Sequence, residues 1–535
     1  MTNSEIADNL KLTANLLELL DDNPFKIKSL LSASFKVDKM EVDLHTLSQQ
    51  EIEKLESIGK STAAKINELN QTGTTTELQE LLKKVPKGVI QMMFIKGIGP
   101  KKVATLWKNL DVESPGELLY ACNENRLVEL KGFGEKTQAA IKKSIEYSQS
   151  NEGKFLYAEI EEEAENILAQ LQNNYPEEQF SFTGAFRRKC ETIEELEILS
   201  TIAGIEQSTL VINTPIALKI TFVESQKFVT ELFKTTATTN FLDAFNAKYT
   251  LHENTISEEE IFTKVGLPYL IPSIRESGNA IDFAAQNKIN DLIQLNHITG
   301  IFHVHTKYSD GASTIKDMAA AVKAKGMQYI GITDHSRSAF YANGLTSERV
   351  LQQHQEIDEL NKTFAPFKIF KGIESDILYD GNLDYEEDIL KQFDFVIASV
   401  HSVLKMDVEK ATNRLLKAIE NPYTTMLGHM TGRLLLSREG YPLHTQKIID
   451  ACAANKVIIE LNANPYRLDI DWRLISHCMK KGVSISINPD AHSIAGIDDV
   501  QYGIYVAQKG LLNKEMCFNA KCLTDIESYF EIKKK

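Results

Sequence analysis

No CxxC pair occurs in this sequence, and its six cysteines (122, 190, 452, 478, 517 and 522) lie scattered along 535 residues. That spacing excludes a disulfide framework and a cysteine-based zinc site. Long apolar runs are also missing. None approaches the roughly 18 to 20 residues of a membrane-spanning helix, which excludes a transmembrane protein. The opening Met1-Thr2-Asn3-Ser4-Glu5 has neither the basic nor the apolar region of a secretory leader. Positive charge is in deficit, with a net charge of −15 and a pI of about 5.4. We therefore expect a soluble, reduced, cytoplasmic protein. What is present is an ordinary globular mixture, 43% hydrophobic and 25% charged, and the length implies three or four domains.

The charge is unevenly spread. Residues 1–150 carry 20 Lys and Arg against 21 Asp and Glu, so nearly all the negative excess belongs to the remainder. Residues 81–110 hold seven lysines (83, 84, 87, 96, 101, 102 and 108) and no acid. A local basic face governs phosphate contact more than the whole-chain sum does; a solvated helix face is the plain alternative.

The first 150 residues have a helical period, as in Leu10, Ala14, Leu17 and Leu20. One pattern recurs three times: Ser57-Ile58-Gly59-Lys60-Ser61, Ile95-Lys96-Gly97-Ile98-Gly99-Pro100-Lys101-Lys102 and Leu130-Lys131-Gly132-Phe133-Gly134-Glu135-Lys136. Each continues into a helical pattern. Glycines let the backbone turn tightly and approach a ligand, while the following helix start offers free N–H groups and the positive end of a dipole. The pattern resembles the helix-hairpin-helix element of DNA repair proteins, which grips phosphates without reading sequence. Gly97, Gly99, Lys101 and Lys102, with Gly132, Gly134 and Lys136, are the DNA-binding candidates. The first copy has one glycine and reads as structural.

Residues 151–295 mix helix and strand, with an amphipathic helix over 155–172 and strands over 179–185 and 210–222. From about 299 short apolar strands (330–333, 395–398, 457–460, 483–487) alternate with helical stretches, which predicts a parallel α/β barrel. A boundary falls near 296–299.

Nine of the twelve histidines follow residue 300, and six of them sit beside carboxylates at expected strand ends. His303 and His305 form an HxH whose period of two aims both rings at one face. Asp310 follows in the next loop. Asp334-His335, Glu374, His401, His429, and Asp490 with His492 each close a strand. Imidazoles mixed with carboxylates suit zinc, manganese or iron, whereas magnesium and calcium prefer all-oxygen sites. Nine such ligands hold two or three ions, which generate hydroxide from water and clamp a phosphate ester. His354, His444 and His477 read as ordinary.

His303-Val304-His305, Ile332-Thr333-Asp334-His335-Ser336, Gly372-Ile373-Glu374-Ser375-Asp376-Ile377, Ser399-Val400-His401-Ser402, Gly428-His429-Met430-Thr431-Gly432-Arg433 and Asp490-Ala491-His492-Ser493 resemble the PHP (polymerase and histidinol phosphatase) domain. The version fused to bacterial family-X DNA polymerases is the nearest in pattern. The resemblance implies a distorted seven-stranded barrel and a trinuclear site. One metal takes His303, His305, Glu374 and Asp490, a second shares Glu374 with His401 and His429, and a third takes Asp310, His335 and His492. Arg433 and Asp334 are the further catalytic candidates, Arg433 as a holder of substrate phosphate.

The resemblance extends upstream. Phe182-Thr183-Gly184-Ala185-Phe186-Arg187-Arg188 is similar to the family's palm motif Gly-Ser-x-Arg-Arg, whose Gly-Ser pair cradles the triphosphate; Ala185 stands where the serine falls. The family's paired aspartates align with Glu195 and Glu197, and the third with about Ala217. Two-metal nucleotidyl transfer needs carboxylates at tight octahedral distances. Longer glutamates and a missing third acid predict that polymerase activity is lost, with Arg187 and Arg188 left as phosphate binders.

The expected architecture is thus a multidomain α+β and α/β chain: helix-hairpin-helix region over 1–150, degenerate nucleotidyltransferase-like palm and thumb-like region over 151–295, and PHP barrel over 299–535. The expected function is a DNA-binding, metal-dependent phosphoesterase of DNA 3′ ends in repair, using two or three Mn²⁺, Zn²⁺ or Fe²⁺ ions on gapped or 3′-recessed DNA independently of sequence. A gap-filling polymerase, a small-molecule phosphatase of the histidinol phosphatase type and a non-catalytic DNA scaffold are the rivals.

Overall fold

A computed structural model describes residues 1–535 apart from 41, 56, 57, 125, 129, 131, 206, 208, 209, 213, 214, 254, 534 and 535, and apart from the side chains of 149 and 150. Ser57 and Lys131, each part of a glycine repeat, lie outside the described residues, as do 213 and 214 of the expected strand 210–222. The chain folds as two compact units, Met1–Glu152 and Gly153–Lys535.

The first unit is helical. Its opening helix, Asn3–Leu19, starts at a capping box: Thr2 Oγ1 accepts from Glu5 N (3.2 Å) while Glu5 accepts from Thr2 N (2.7 Å). Ile6, Leu10, Ala14 and Leu17 form its buried stripe, and Ile27, Leu30, Ala33 and Val37 supply that of the next helix, Pro24–Asp38. The later helices Lys60–Thr72, Pro100–Leu110 and Glu135–Ser150 each follow one of the glycine repeats.

The second unit opens with a short antiparallel pair, β1 (Phe155–Leu156) and β3 (Thr192–Ile193). A three-stranded sheet follows, in which the central β4 (Glu195–Ser200) pairs antiparallel with β2 (Phe180–Phe182) and parallel with β5 (Ala217–Phe222). Helix Tyr157–Asn174 belongs to the same core through Ile160, Ala164, Ile167 and Leu171. Beyond it, Phe233, Phe245 and Phe262 pack edge to face with centroids 5.2–6.1 Å apart, centring a cluster of short helices.

Seven parallel strands form the remainder, adjacent in chain order: β6 (Gly300–Val304), β7 (Tyr329–Ile332), β8 (Lys368–Asp376), β9 (Phe395–Ser399), β10 (Met426–Leu427), β11 (Ile458–Asn462) and β12 (Ile485–Asn488). Nearly every strand residue is buried, as expected where helices cover the outer face and side chains fill the inner one. Phe302, Tyr329, Phe370 and Phe395 meet Phe518 and Phe530 of the C-terminal segment in one aromatic plug. Gly331 makes room for it: a Cβ there would stand 2.5 Å from Phe302 and 2.6 Å from Phe395.

The cylinder closes at a narrow seam. Val304 bridges Ala491, with His305 N donating to Ala491 O (2.9 Å) and Ala491 N to His303 O (3.2 Å). Here β6 is irregular: its register shifts between Ile301 and Val304, and His303 has φ +59°. The HxH therefore does not lie on a regular strand, and a period of two is not what aims its rings. A bulge beside a functional site turns one side chain to the required face.

Candidate metal centre

The structure gathers all nine residues expected as ligands at the C-terminal ends of the barrel strands. Glu374, at the end of β8, is the hub. Its Oε1 lies 3.0 Å from both His401 Nε2 and His429 Nε2 and 3.2 Å from His303 Nε2; its Oε2 lies 2.9 Å from His335 Nδ1 and 3.6 Å from His305 Nε2. Asp490 Oδ1 stands 3.3 Å from His303 Nε2 and 3.2 Å from His305 Nε2. Asp310 closes the other side, 3.4 Å from His492 Nε2 and 3.7 Å from both His335 and His305.

These groups fit a set of cations better than they fit each other. His303 Nε2, both ring nitrogens of His305, His335 Nδ1 and Glu374 Oε2 are buried without a hydrogen-bond partner among the described residues. Two ligands each about 2.1 Å from one tetrahedral ion stand roughly 3.4 Å apart, which is the spacing seen here. Four overlapping groups qualify: His305, Asp310, His335 and His492; His303, His305 and Asp490; His303, Glu374 and His429; His335, Glu374 and His401. Electrostatics agree at the two central acids and at His305; at His303, His401 and His492 burial lowers the imidazole, but the facing carboxylates outweigh it and raise it. Burial would raise the Glu374 and Asp490 carboxyls, but surrounding imidazoles hold both well below the usual range, so they stand ionised. Burial, with the neighbouring His492 and His335, pushes His305 down to about 3, which leaves it neutral and able to ligate.

Two further carboxylates orient the rings. Glu460 on β11 accepts from His303 Nδ1 (2.5 Å) and Asn488 Nδ2 (2.9 Å) with one oxygen, and from His429 N (2.8 Å) and Asn462 Nδ2 (3.3 Å) with the other. Asp376 takes His401 Nδ1 and also accepts from Ser338 Oγ (2.8 Å). Such partners fix the tautomer, so that the opposite nitrogen presents its lone pair. Sequence reasoning missed both roles. The available signal was Glu460 itself, a buried acid in the otherwise apolar run Val457–Leu461.

Asp334 and the expected arginines are engaged within the protein. The Asp334 carboxylate is fully buried and accepts from Thr306 N (2.8 Å), Ser309 N (3.1 Å), Ser309 Oγ (2.5 Å), Thr306 Oγ1 (2.7 Å) and Gln353 Nε2 (2.6 Å), so it shapes the loop that carries His305 and Asp310. Arg433 is committed to protein: its Nε donates to Arg467 O (2.9 Å), Nη2 to Leu468 O, and Nη1 lies 3.2 Å from Asp471. The arginine beside the cluster is Arg467, with Nε 3.4 Å from Asp490 Oδ2. It sits in the loop after β11, the one barrel strand that brings no ligand.

Arg187 and Arg188 likewise face inward. Arg187 forms a two-pronged pair with Glu258, which also holds the fully buried Arg275, and Arg188 Nε bonds Glu276 (2.9 Å). Both pairs link the segment after β2 to the helical cluster. In the sheet, Glu195 is paired in register with Ala217 and Glu197 with Lys219. Lys219 Nζ stands 3.6 Å from Glu195 and 3.4 Å from Glu197. Glu197 also lies over Gly184, where a Cβ would meet Oε2 at 1.7 Å.

In the helical unit, Gly97 (φ +95°) and Gly132 (φ +92°) adopt left-handed turns that glycine tolerates, whereas Gly59 only starts a helix at φ −84°. Ile98 and Phe133, between the glycines, are buried anchors. Gly99 is the N-cap of its helix without a side-chain cap, and Lys101 is exposed beside it, 3.8 Å from Glu18. Lys102 Nζ sits 3.3 Å from Gly97 O and 5.7 Å from the Phe133 ring centroid, linking the two hairpins. Gly134 and Lys136 lie at the start of helix Glu135–Ser150.

Barrel and ligand cluster together define a PHP-domain protein, and the PHP domain model matches residues 302–464. A helix-hairpin-helix domain matches residues 1–75 and a SAM-like helix-hairpin-helix tandem residues 89–146. The DNA polymerase/3'-5' exonuclease PolX of Bacillus subtilis (strain 168) is 33% identical over 99% of this chain and 100% of its own length. The chain belongs to this PolX family. A probable phosphatase of Thermoanaerobacter sp. (strain X514) is 29% identical over 44% of this chain and 94% of its own. The solved histidinol phosphate phosphatase of Lactococcus lactis, complexed with zinc, L-histidinol and phosphate, aligns with 39% of this chain and 93% of its own at 18% identity and a TM-score of 0.30. PHP domains bind divalent metals, and helix-hairpin-helix regions bind DNA. No helix among the described residues is long and apolar enough to cross a membrane.

Proposed function

We propose that this chain is a DNA-binding, metal-dependent phosphoesterase that removes nucleotides or a blocking phosphate from DNA 3′ ends in repair, in the cytoplasm, with its polymerase centre silent. The observation that carries this reading is the nine-residue ligand cluster in a chain of PolX type. Residues 1–150 grip DNA at gaps or recessed ends without reading sequence, 151–295 form the palm and thumb-like region, and 299–535 hydrolyse. His303, His305, Asp310, His335, Glu374, His401, His429, Asp490 and His492 hold two or three divalent ions, manganese, zinc or iron. Such ions supply Lewis acidity for phosphate-ester hydrolysis. Glu374 spans the cluster, Glu460 and Asp376 keep His303 and His401 in the ligating tautomer, and Arg467 places a fixed cation beside the site for a substrate phosphate.

Silence of the polymerase rests on Lys219. Its ammonium stands between Glu195 and Glu197, where nucleotidyl transfer needs metal ions, and Ala217 offers no third carboxylate. A 5′-labelled recessed primer-template, incubated with Mn²⁺ with and without four nucleotides, tests both halves. Shortening in both lanes, abolished by His303→Ala, is expected. Lengthening with nucleotides refutes the silent palm, and persistence of shortening in the variant refutes the nuclease assignment.

A further inference from the structure

The barrel wears most of its exposed apolar side chains in one place. Residues 299–533 carry eight exposed large apolar side chains, and six of them, Phe340, Tyr341, Tyr379, Val403, Tyr466 and Ile494, occupy loops that leave the C-terminal ends of the strands. All four exposed aromatic rings of the barrel are in that set: Phe340 at 89%, Tyr341 at 64%, Tyr379 at 62% and Tyr466 at 55% exposure. Scattered exposed rings need no explanation, but rings confined to the rim of the ligand cluster do.

The rim is built to hold these rings in place. Tyr341 stands over the cluster, its centroid 6.0 Å from that of His335. The loop bearing Phe340 and Tyr341 is tied at both ends: Leu345 N donates to His335 O (2.9 Å), Gly344 N to Ala339 O (3.1 Å) and Ser338 N to Asp384 (2.6 Å). Arg349 adds a bond to Asn343 O (2.8 Å). Tyr466 precedes Arg467, the cation beside Asp490. Tyr379 is steadied by Lys410, whose Nζ lies 4.1 Å from the ring centroid and donates to its hydroxyl (2.8 Å). Exposed rings with cations beside them are what a single strand asks for, because every base offers a π-face and every linkage a charge.

Resting on the function proposed above, the geometry points to a base-stacking platform: Phe340, Tyr341, Tyr379 and Tyr466 seat unpaired bases at the DNA 3′ terminus, and Lys410 meets their phosphates. These are positioning residues; the chemistry stays with the ligand cluster. Stacking that ignores base identity also makes the rim indifferent to sequence.

The test uses the full chain with Mn²⁺, a 5′-labelled single-stranded oligonucleotide and, separately, glycerol 3-phosphate, a phosphomonoester without a ring. Phe340→Ala and Tyr466→Ala are expected to lower kcat/KM on the oligonucleotide roughly 5- to 100-fold, mainly through KM. Phosphate release from glycerol 3-phosphate stays within twofold, and Phe340→Trp restores the oligonucleotide rate. Unchanged kcat/KM on DNA, or a parallel fall on both substrates, overturns the platform. Failure of the wild-type chain to shorten DNA overturns the proposed function and the platform with it. An alanine effect confined to glycerol 3-phosphate reassigns the rim to small phosphomonoesters.

Discussion

Glu460→Gln isolates the orienting shell from the ligands. Glu460 receives four hydrogen bonds, all from donors: His303 Nδ1 and Asn488 Nδ2 on one oxygen, His429 N and Asn462 Nδ2 on the other. Glutamine keeps the volume but turns one oxygen into a donor, so one pair of donors must face an NH₂ whichever way the amide points. The backbone N–H of His429 cannot reverse its role, which drives the NH₂ toward His303. There the imidazole must give up its Nδ1 proton and take one on Nε2, the atom facing Glu374 and Asp490. An unmade buried hydrogen bond costs about 1–3 kcal/mol, and loss of an orienting partner weakens metal sites roughly 10- to 100-fold. We expect the metal dissociation constant to rise by about 30-fold, measured by competition of Mn²⁺ or Zn²⁺ against a chelating dye. Hydrolysis should fall at limiting metal and recover substantially at saturation. Affinity within twofold of wild type would refute the argument that Glu460 sets the His303 tautomer.

Glu374→Ala removes the hub and should reduce hydrolysis to background while DNA affinity, read by gel shift, stays within twofold; joint loss of both would make the barrel a structural platform. Glu258→Gln leaves Arg187 and Arg275 short of a buried counter-charge and should lower unfolding stability by about 3 kcal/mol in urea titrations. Burial raises the Glu258 carboxyl, but Arg187 and Arg275 outweigh it and leave it below its ordinary value of 4.5. Its contribution is therefore complete at neutral pH and disappears as pH falls through the depressed value, so variant and wild type should converge only in strong acid. Gly331→Ala forces a methyl between Phe302 and Phe395 and should cost about 1–3 kcal/mol, visible as a lowered Tm, with the helical unit unaffected.

The barrel was legible because parallel strands buried on both faces write short apolar runs: the expected 330–333, 395–398, 457–460 and 483–487 correspond to β7, β9, β11 and β12 within two residues. Ligand types were legible because histidines and acids at strand ends have few other reasons to recur. The partners of each side chain were not. Asp334, Arg433, Arg187 and Arg188 all carry the right functional group, and each is engaged by neighbours 19 or more residues away in the chain. Glu460 and Arg467 show the converse, since they belong to the one strand and loop without a ligand and so drew no notice. The expected strand 210–222 begins only at Ala217, which lies opposite Glu195 in the sheet.

The seam of the barrel has a thermodynamic consequence. First and last strands meet through a single bridge, Val304 to Ala491, and its flanking residues are His303 and His305 on one edge and Asp490 and His492 on the other. Two of those four, His303 and Asp490, hold left-handed backbone at φ +59° and +53°. Any ion shared between His303 or His305 and Asp490 therefore rivets together two edges that few main-chain bonds unite, and cylinder closure and ion capture become one linked equilibrium. Chelation should open that edge before it disturbs the aromatic plug at the opposite end, so amide exchange in the stripped protein should quicken first at residues 303–305 and 490–492.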